Sequence, residues 1–166
     1  MSYNTVKLKK YSNVIEEYAA AASITPGMLL ELTSSDTVQA HSAQGRNILP
    51  MFALEDELQG NGLEDNYVAG DKVQVWIPNR GDQVYAVLVD GENIAIGDFL
   101  ESNGDGALRK HVPDSWESAE DQVANTIYQN AIVGVAVEAK DLSDSSGVDS
   151  SVGVLGYNKR IAVRIY

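Results

Sequence analysis

The sequence predicts an all-β fold, and three features point there. Short apolar runs (MLLELT, VQAHSA, ILPMFALE, KVQVWI, QVYAVLV, NIAIGDFL, AIVGVAVEA and RIAVRIY) recur between clusters of Gly, Ser, Asn and Asp. Runs of that size bounded by turn formers read as strands. The last run alternates, with Ile161, Val163 and Ile165 on one parity and Arg160, Ala162 and Arg164 on the other. A period of two gives a strand one dry face and one wet face. Finally, PNRGD (78–82) and DGEN (90–93) place Gly81 and Gly91 between apolar runs, as hairpin turns needing a positive φ would. Strands this short and closely spaced suggest a sandwich or a barrel.

In chain order, the first eleven residues carry Lys7, Lys9 and Lys10 and no acid. They read either as a loose, solubilising terminus or as an extended arm. In the second case Val6 and Leu8, alternating with Lys7 and Lys9, would lay one apolar face along a neighbouring subunit. Residues 13–22 (NVIEEYAAAA) suggest a short helix, with Asn13 as cap and Glu16 closing a capping box. Pro26 and Gly27 then break the chain before the first core strand. QVYAVLV is apolar almost throughout, so it should sit centrally with both faces covered. Residues 59–67 read as a polar loop, 113–130 as an insertion where Ser118 and Asp121 start one or two helical turns, and 142–158 as a long Ser/Gly-rich loop. No repeat or linker suggests a second β domain, so the organisation expected is an arm over 1–23 and one β domain over 24–166.

Composition narrows the function. A chain of 166 residues buries a core without staples, and it has no cysteine, which excludes disulfides, thiolate metal sites and cysteine nucleophiles. With 24 acidic against 12 basic residues, the net charge of −12 argues against a nucleic-acid surface. No apolar run approaches the ~18 residues of a membrane span, and the polar, basic N-terminus lacks the apolar stretch of a secretion signal. The chain reads as soluble, unprocessed and without nucleic-acid or membrane partners.

Chemical motifs are few. His41 and His111 are the only histidines and lack the spacing of a helical zinc pair. His111, Asp114 and Ser115 have the residue types of a hydrolase triad but lie too close in one turn to converge, and no G-x-S-x-G elbow, Walker loop or G-x-G-x-x-G is present. The acid pairs at 55–57, 64–65 and 120–121 read as solvated loop carboxylates. Arg80-Gly81-Asp82 spells an integrin-recognition tripeptide, yet a Gly between polar residues is also what a tight turn requires. The stretch ESNGDGAL (101–108) imitates a calcium loop, with Glu101, Asn103, Asp105 and Gly106 in place. Its twelfth position is Val112 rather than a bidentate Glu, and Arg109 and Lys110 stand beside the supposed ion. It reads as a turn with Gly104 and Gly106. No catalytic, metal or cofactor residues are expected.

The string GENIAIGDFLESNGDGALRK (91–110) resembles a segment of the capsid decoration proteins of tailed bacteriophages, also called head-stabilising or cement proteins. Other landmarks follow in order: AAAASITPGMLLEL, MFALEDELQGNG with NYVAGDKVQVWIP, AIVGVAVEAKDLS and RIAVRIY. The resemblance covers roughly Ala19 to Leu108 and Ala131 to the end; the segments 113–130 and 142–158 depart from it. It implies a small barrel or sandwich of β-tulip type and a homotrimer without enzymatic activity. Such a trimer bridges neighbouring capsomers on the outer capsid surface, with the major capsid protein as partner. Gly97, Asp98, Leu100 and Gly106 match its turn pattern as scaffold. The arm from Tyr3 to Tyr11 (Tyr3, Val6, Lys7, Leu8, Lys9, Lys10 and Tyr11) would contact the capsid. A rival reading is a carbohydrate-binding or adhesin-like β module using Trp76 or Trp116 as a stacking platform.

Overall fold

The computed structural model describes residues 4–9, 14–113, 128–145 and 159–166, which are all-β apart from one 3-10 turn at Glu57–Gln59. Tyr3, Lys10, Tyr11, Asp114, Ser115, Trp116, the helical turns expected at Ser118 and Asp121, and residues 146–158 lie outside this set. The strands are β1 (Lys7–Lys9), β2 (Val14–Ala20), β3 (Leu30–Leu32), β4 (Thr37–Ala40) and β5 (Phe52–Ala53). They continue with β6 (Lys72–Ile77), β7 (Gln83–Val87), β8 (Asn93–Ile94) and β9 (Phe99–Ser102). The last four are β10 (Leu108–Lys110), β11 (Ile132–Ala136), β12 (Lys140–Asp141) and β13 (Arg160–Ile165).

A six-stranded antiparallel sheet runs β1-β7-β13-β11-β9-β10, and a five-stranded sheet runs β3-β4-β2-β6-β5. β12 and β8 form a small ribbon. The two large sheets share one core, where Phe52, Leu54 and Trp76 of the second meet Val84, Leu100 and Ile161 of the first. Each such side chain, fully buried, contributes about 1.5–3 kcal/mol. The other parity of β5 and β6 (Ala53, Val73, Val75) packs on Ile24 and Met28 in a second cluster. The sheets form no closed barrel, yet their edges are stitched. Leu29 bridges Phe52, with Leu30 donating to the Met51 carbonyl at 2.8 Å, and Leu88 bridges Leu108. Stitched edges offer fewer free backbone groups to other chains.

β7 is buried along its whole length between β1 and β13, as its apolar run predicts. Gly27, Gly81, Gly91, Gly97, Gly104 and Gly106 all take φ between 83° and 96°. The need is sharpest at Gly106, where a Cβ would lie 3.0 Å from Ala40 Cβ and 3.1 Å from Met28 Cγ. Gly134, in the middle of β11, had no expected role, but a Cβ there would overlap the Arg164 carbonyl of β13.

Four expectations are corrected. Residues 14–20 are a strand, not a helix: β2 pairs with β6 from Val14↔Ile77 to Ala19↔Lys72. Alanine's helix propensity is worth only tenths of a kcal/mol per residue, so a continuous ladder overrides it. The turns at 78–82 and 90–93 are not hairpins. The first hands the chain from the five-stranded to the six-stranded sheet, and the second leads from β7 to the β8–β12 ribbon. Turn chemistry fixes where the chain reverses, not which strand it meets next. The wet face of β13 is largely dry, since Arg160 and Ala162 are buried and only Arg164 of that parity is exposed. Finally, residues 4–9 are not a free arm. β1 pairs with β7, Tyr85 N–H donates to the Val6 carbonyl at 2.7 Å, and Val6 is fully buried in this chain's own core.

Candidate functional site

The β9–β10 hairpin gathers more polar contacts than any other turn that the sequence singles out. Its register sets Arg109 opposite Glu101, and cross-strand neighbours on one face are close enough to pair. The Glu101 carboxylate, 2% exposed, accepts from Arg109 Nε at 2.8 Å and from His111 Nδ1 at 2.6 Å, with Arg109 Nη2 at 2.5 Å. A buried carboxylate needs such partners, because an unpaired one costs several kcal/mol. The tip closes on itself: Asp105 Oδ1 accepts from Ala107 N–H and Asp105 Oδ2 from Asn103 Nδ2, each at 3.0 Å. Glu101 and Asp105 therefore have separate partners, and the loop holds no converging oxygen cage. Among the described residues no group of three or more His, Asp or Glu side chains is placed to hold a metal.

Asp98, in the turn that enters β9, accepts from Ala95 N–H at 2.9 Å and Lys110 Nζ at 2.7 Å. The Lys110 ammonium and then the backbone donor hold its carboxyl below the ordinary range. The two cations beside the supposed calcium loop thus neutralise two acids, Arg109 taking Glu101 and Lys110 taking Asp98.

A second polar array lies behind the hairpin. Ser102 Oγ and His41 Nδ1 are 2.8 Å apart, and His41 Nε2 lies 3.8 Å from Glu31. Ser42 Oγ and Gln39 Nε2 each donate to Glu31 at 2.7 Å. Burial pushes the Glu31 carboxyl up, but these two donors, the nearby His41 and the Ser42 backbone together outweigh it and its pKa falls below the ordinary value. Ser, His and Glu in a row have the composition of a nucleophilic relay. Ser102, however, is fully buried and accepts the Gly104 N–H at 3.1 Å, so no substrate carbonyl can reach it. The array ties the hairpin to β3 and β4. The sequence hides it because His41 and Ser102 are sixty-one residues apart. The Glu101–Arg109 pair was within reach of the sequence, since a turn centred on the two glycines places the residues face to face.

Of the other candidates, Asp82 is fully buried and accepts the Asn79 N–H at 2.8 Å, so Arg80-Gly81-Asp82 is a structural turn rather than a displayed tripeptide. Trp76 is fully buried and gives no stacking platform. Of the capsid-contact candidates, Val6 is core, Lys7 and Leu8 are half-buried and Lys9 is exposed. Val6 N–H and Thr5 Oγ1 donate to the buried Glu55 carboxylate, which fastens this segment down. A polar groove of about 530 Å³ has Glu17, Asp56, Asp65 and Asp71 among its walls. A smaller apolar hollow of about 180 Å³ is lined by Leu30, Leu32, Ile48 and Leu49 beside His41.

No family model and no curated protein matches the chain. Among solved structures it is similar to the N-terminal base of the head fibre gp8.5 of bacteriophage phi29, with 17% identity and a TM-score of 0.51, covering 93% of this chain and 95% of that one. At this identity the likeness is one of fold.

Proposed function

We propose that this chain is a structural virion protein of a phage head. It sits on the outer surface of the capsid as a homotrimer and stabilises the shell by bridging neighbouring capsomers. The observation that carries the reading is the fold likeness to a head-fibre base along nearly the whole of both chains. The ordered sequence landmarks of the decoration proteins support the finer statement. The buried polar arrays suit a scaffold rather than a catalyst: their donors and acceptors are directed at one another, and Ser102 is sealed from solvent. Three identical copies multiply weak contacts into firm attachment.

Mixing the purified protein with mature shells that lack it, then sedimenting and imaging the mixture, tests the reading. Outer density at three-fold positions is expected, and shells that sediment bare would sink it. Lys7→Glu with Lys9→Glu asks whether the β1 edge faces shell carboxylates. Cutting away residues 1–11 is the poorer test, because it also removes Val6 from the core.

A further inference from the structure

Four large apolar side chains are exposed around one end of the six-stranded sheet: Ile96 (70%), Phe99 (44%), Val112 (63%) and Tyr166 (62%). Phe99 and Tyr166 meet edge to face with ring centroids 6.1 Å apart. Ile96 lies in the turn entering β9, and Val112 follows His111, whose N–H donates to the Phe99 carbonyl at 2.8 Å. Cross-strand register places Phe99 opposite Val135 and Val135 opposite Arg164, so an aromatic and a cation share one row on the sheet. The Arg80 guanidinium stacks 5.0 Å above the Tyr166 ring. Both arginines are exposed, and neither pairs with a carboxylate among the described residues. Apolar side chains framed by arginine are the composition of a contact surface, since Tyr, Phe and Arg are enriched where proteins meet.

We infer that this face docks against a second copy of the chain, at the acidic groove walled by Glu17 and Asp56. Charge complementarity selects the occupant. The chain carries 24 acids against 12 bases, so two copies repel wherever acidic surfaces meet. A two-fold contact of this face with itself would set Arg80 and Arg164 against their own images. The groove, of about 530 Å³, belongs to a different surface, built on β2, β6 and the 56–71 loop, and holds two further carboxylates in Asp65 and Asp71 against one cation, Lys72. A contact between unlike faces is heterologous and closes into a ring when its rotation permits. The inference rests on the trimer proposed above and names the faces that would form it.

Sedimentation of the full chain without shells tests it. At about 100 μM, a hundredfold above a micromolar Kd, the protein should be oligomeric. Phe99→Ser with Tyr166→Ser should weaken association at least about tenfold with circular dichroism and melting temperature kept. Arg80→Glu with Arg164→Glu, and separately Glu17→Lys with Asp56→Lys, should each give monomers, and a single chain carrying all four reversals should associate again, since every contact of the ring is then complementary. A monomeric wild type, singly reversed variants that assemble unchanged, or a fourfold variant that stays monomeric would each overturn the inference. A monomeric wild type whose shell binding needs Phe99 would make the shell the occupant instead. Intact self-association without shell binding would reject the virion reading and leave this one standing.

Discussion

Glu101 and Arg160 are both sealed from water, at 2% exposed each, and their surroundings differ in kind. Glu101 faces the side chains of Arg109 and His111, which are themselves about a quarter exposed. Arg160 instead donates through Nη2 to the carbonyls of Pro26 and Leu63, at 2.9 and 2.7 Å, while its Nε finds no partner. Burial therefore lowers the Arg160 pKa to about 10. A charge offset by counterions that still touch water is replaceable, because water can hydrate whatever is left behind. A cation held by backbone dipoles is harder to replace, since removing it takes the donor from carbonyls that are wholly or partly shielded from water.

The largest expected effect follows from that contrast. Arg160→Ala removes the donor to one buried and one half-buried carbonyl and leaves a cavity, and should cost about 3–5 kcal/mol in urea unfolding. Arg160→Met fills the space but supplies no donor to the same carbonyls, so it should recover only the cavity share and still cost about 1–3 kcal/mol. A Met variant as stable as the wild type would show that the volume, not the carbonyl bonds, sets the cost. Glu101→Gln should cost about 1.5–3 kcal/mol, the range for hydrogen bonds to charged groups, because Arg109 and His111 can turn to solvent. A loss as large as that of Arg160→Ala would break the comparison.

Tyr67 sharpens it as a buried group that is neutral in the native state. Its hydroxyl donates to the Leu54 carbonyl at 2.8 Å, and burial pushes its pKa up to about 12. Because the folded pKa lies above the unfolded value of 10.0, the folded state holds the proton more tightly. Its contribution is complete below pH 10 and is lost as the pH rises towards 12. Tyr67→Phe should cost about 1 kcal/mol at neutral pH and flatten the alkaline loss of stability between those values; an unchanged alkaline limb would refute the assignment. The smallest effect belongs to Lys110→Ala, whose half-exposed ammonium pairs with Asp98. It should shift stability by no more than about 0.5 kcal/mol, measured in the same urea series.

The fold class was legible because the signals that specify strands are local. The apolar run of QVYAVLV announced a strand covered on both faces, and the glycines at 104 and 106 announced a turn. The misreadings are of another kind. Arg160 stands where alternation demands a wet residue, and Val6 sits among lysines, so each carries a local signature opposite to its burial. Ala-rich 14–20 lacks a strong strand pattern of its own and becomes a strand because β6 offers it a ladder. The Phe99–Tyr166 pair was equally hidden, its partners being sixty-seven positions apart.

By itself, then, the sequence determined that the chain is all-β, where most of its turns fall, and that Gly104 and Gly106 sit in one of them. Each depends on φ, ψ and side-chain parity within a few residues. Tertiary structure decided which sheet each strand joins, which face of β13 stays dry, and that the N-terminal lysines flank a strand anchored by Val6. Those outcomes turn on partners dozens of residues away, whose burial and hydrogen bonds outweigh local preferences worth only tenths of a kcal/mol.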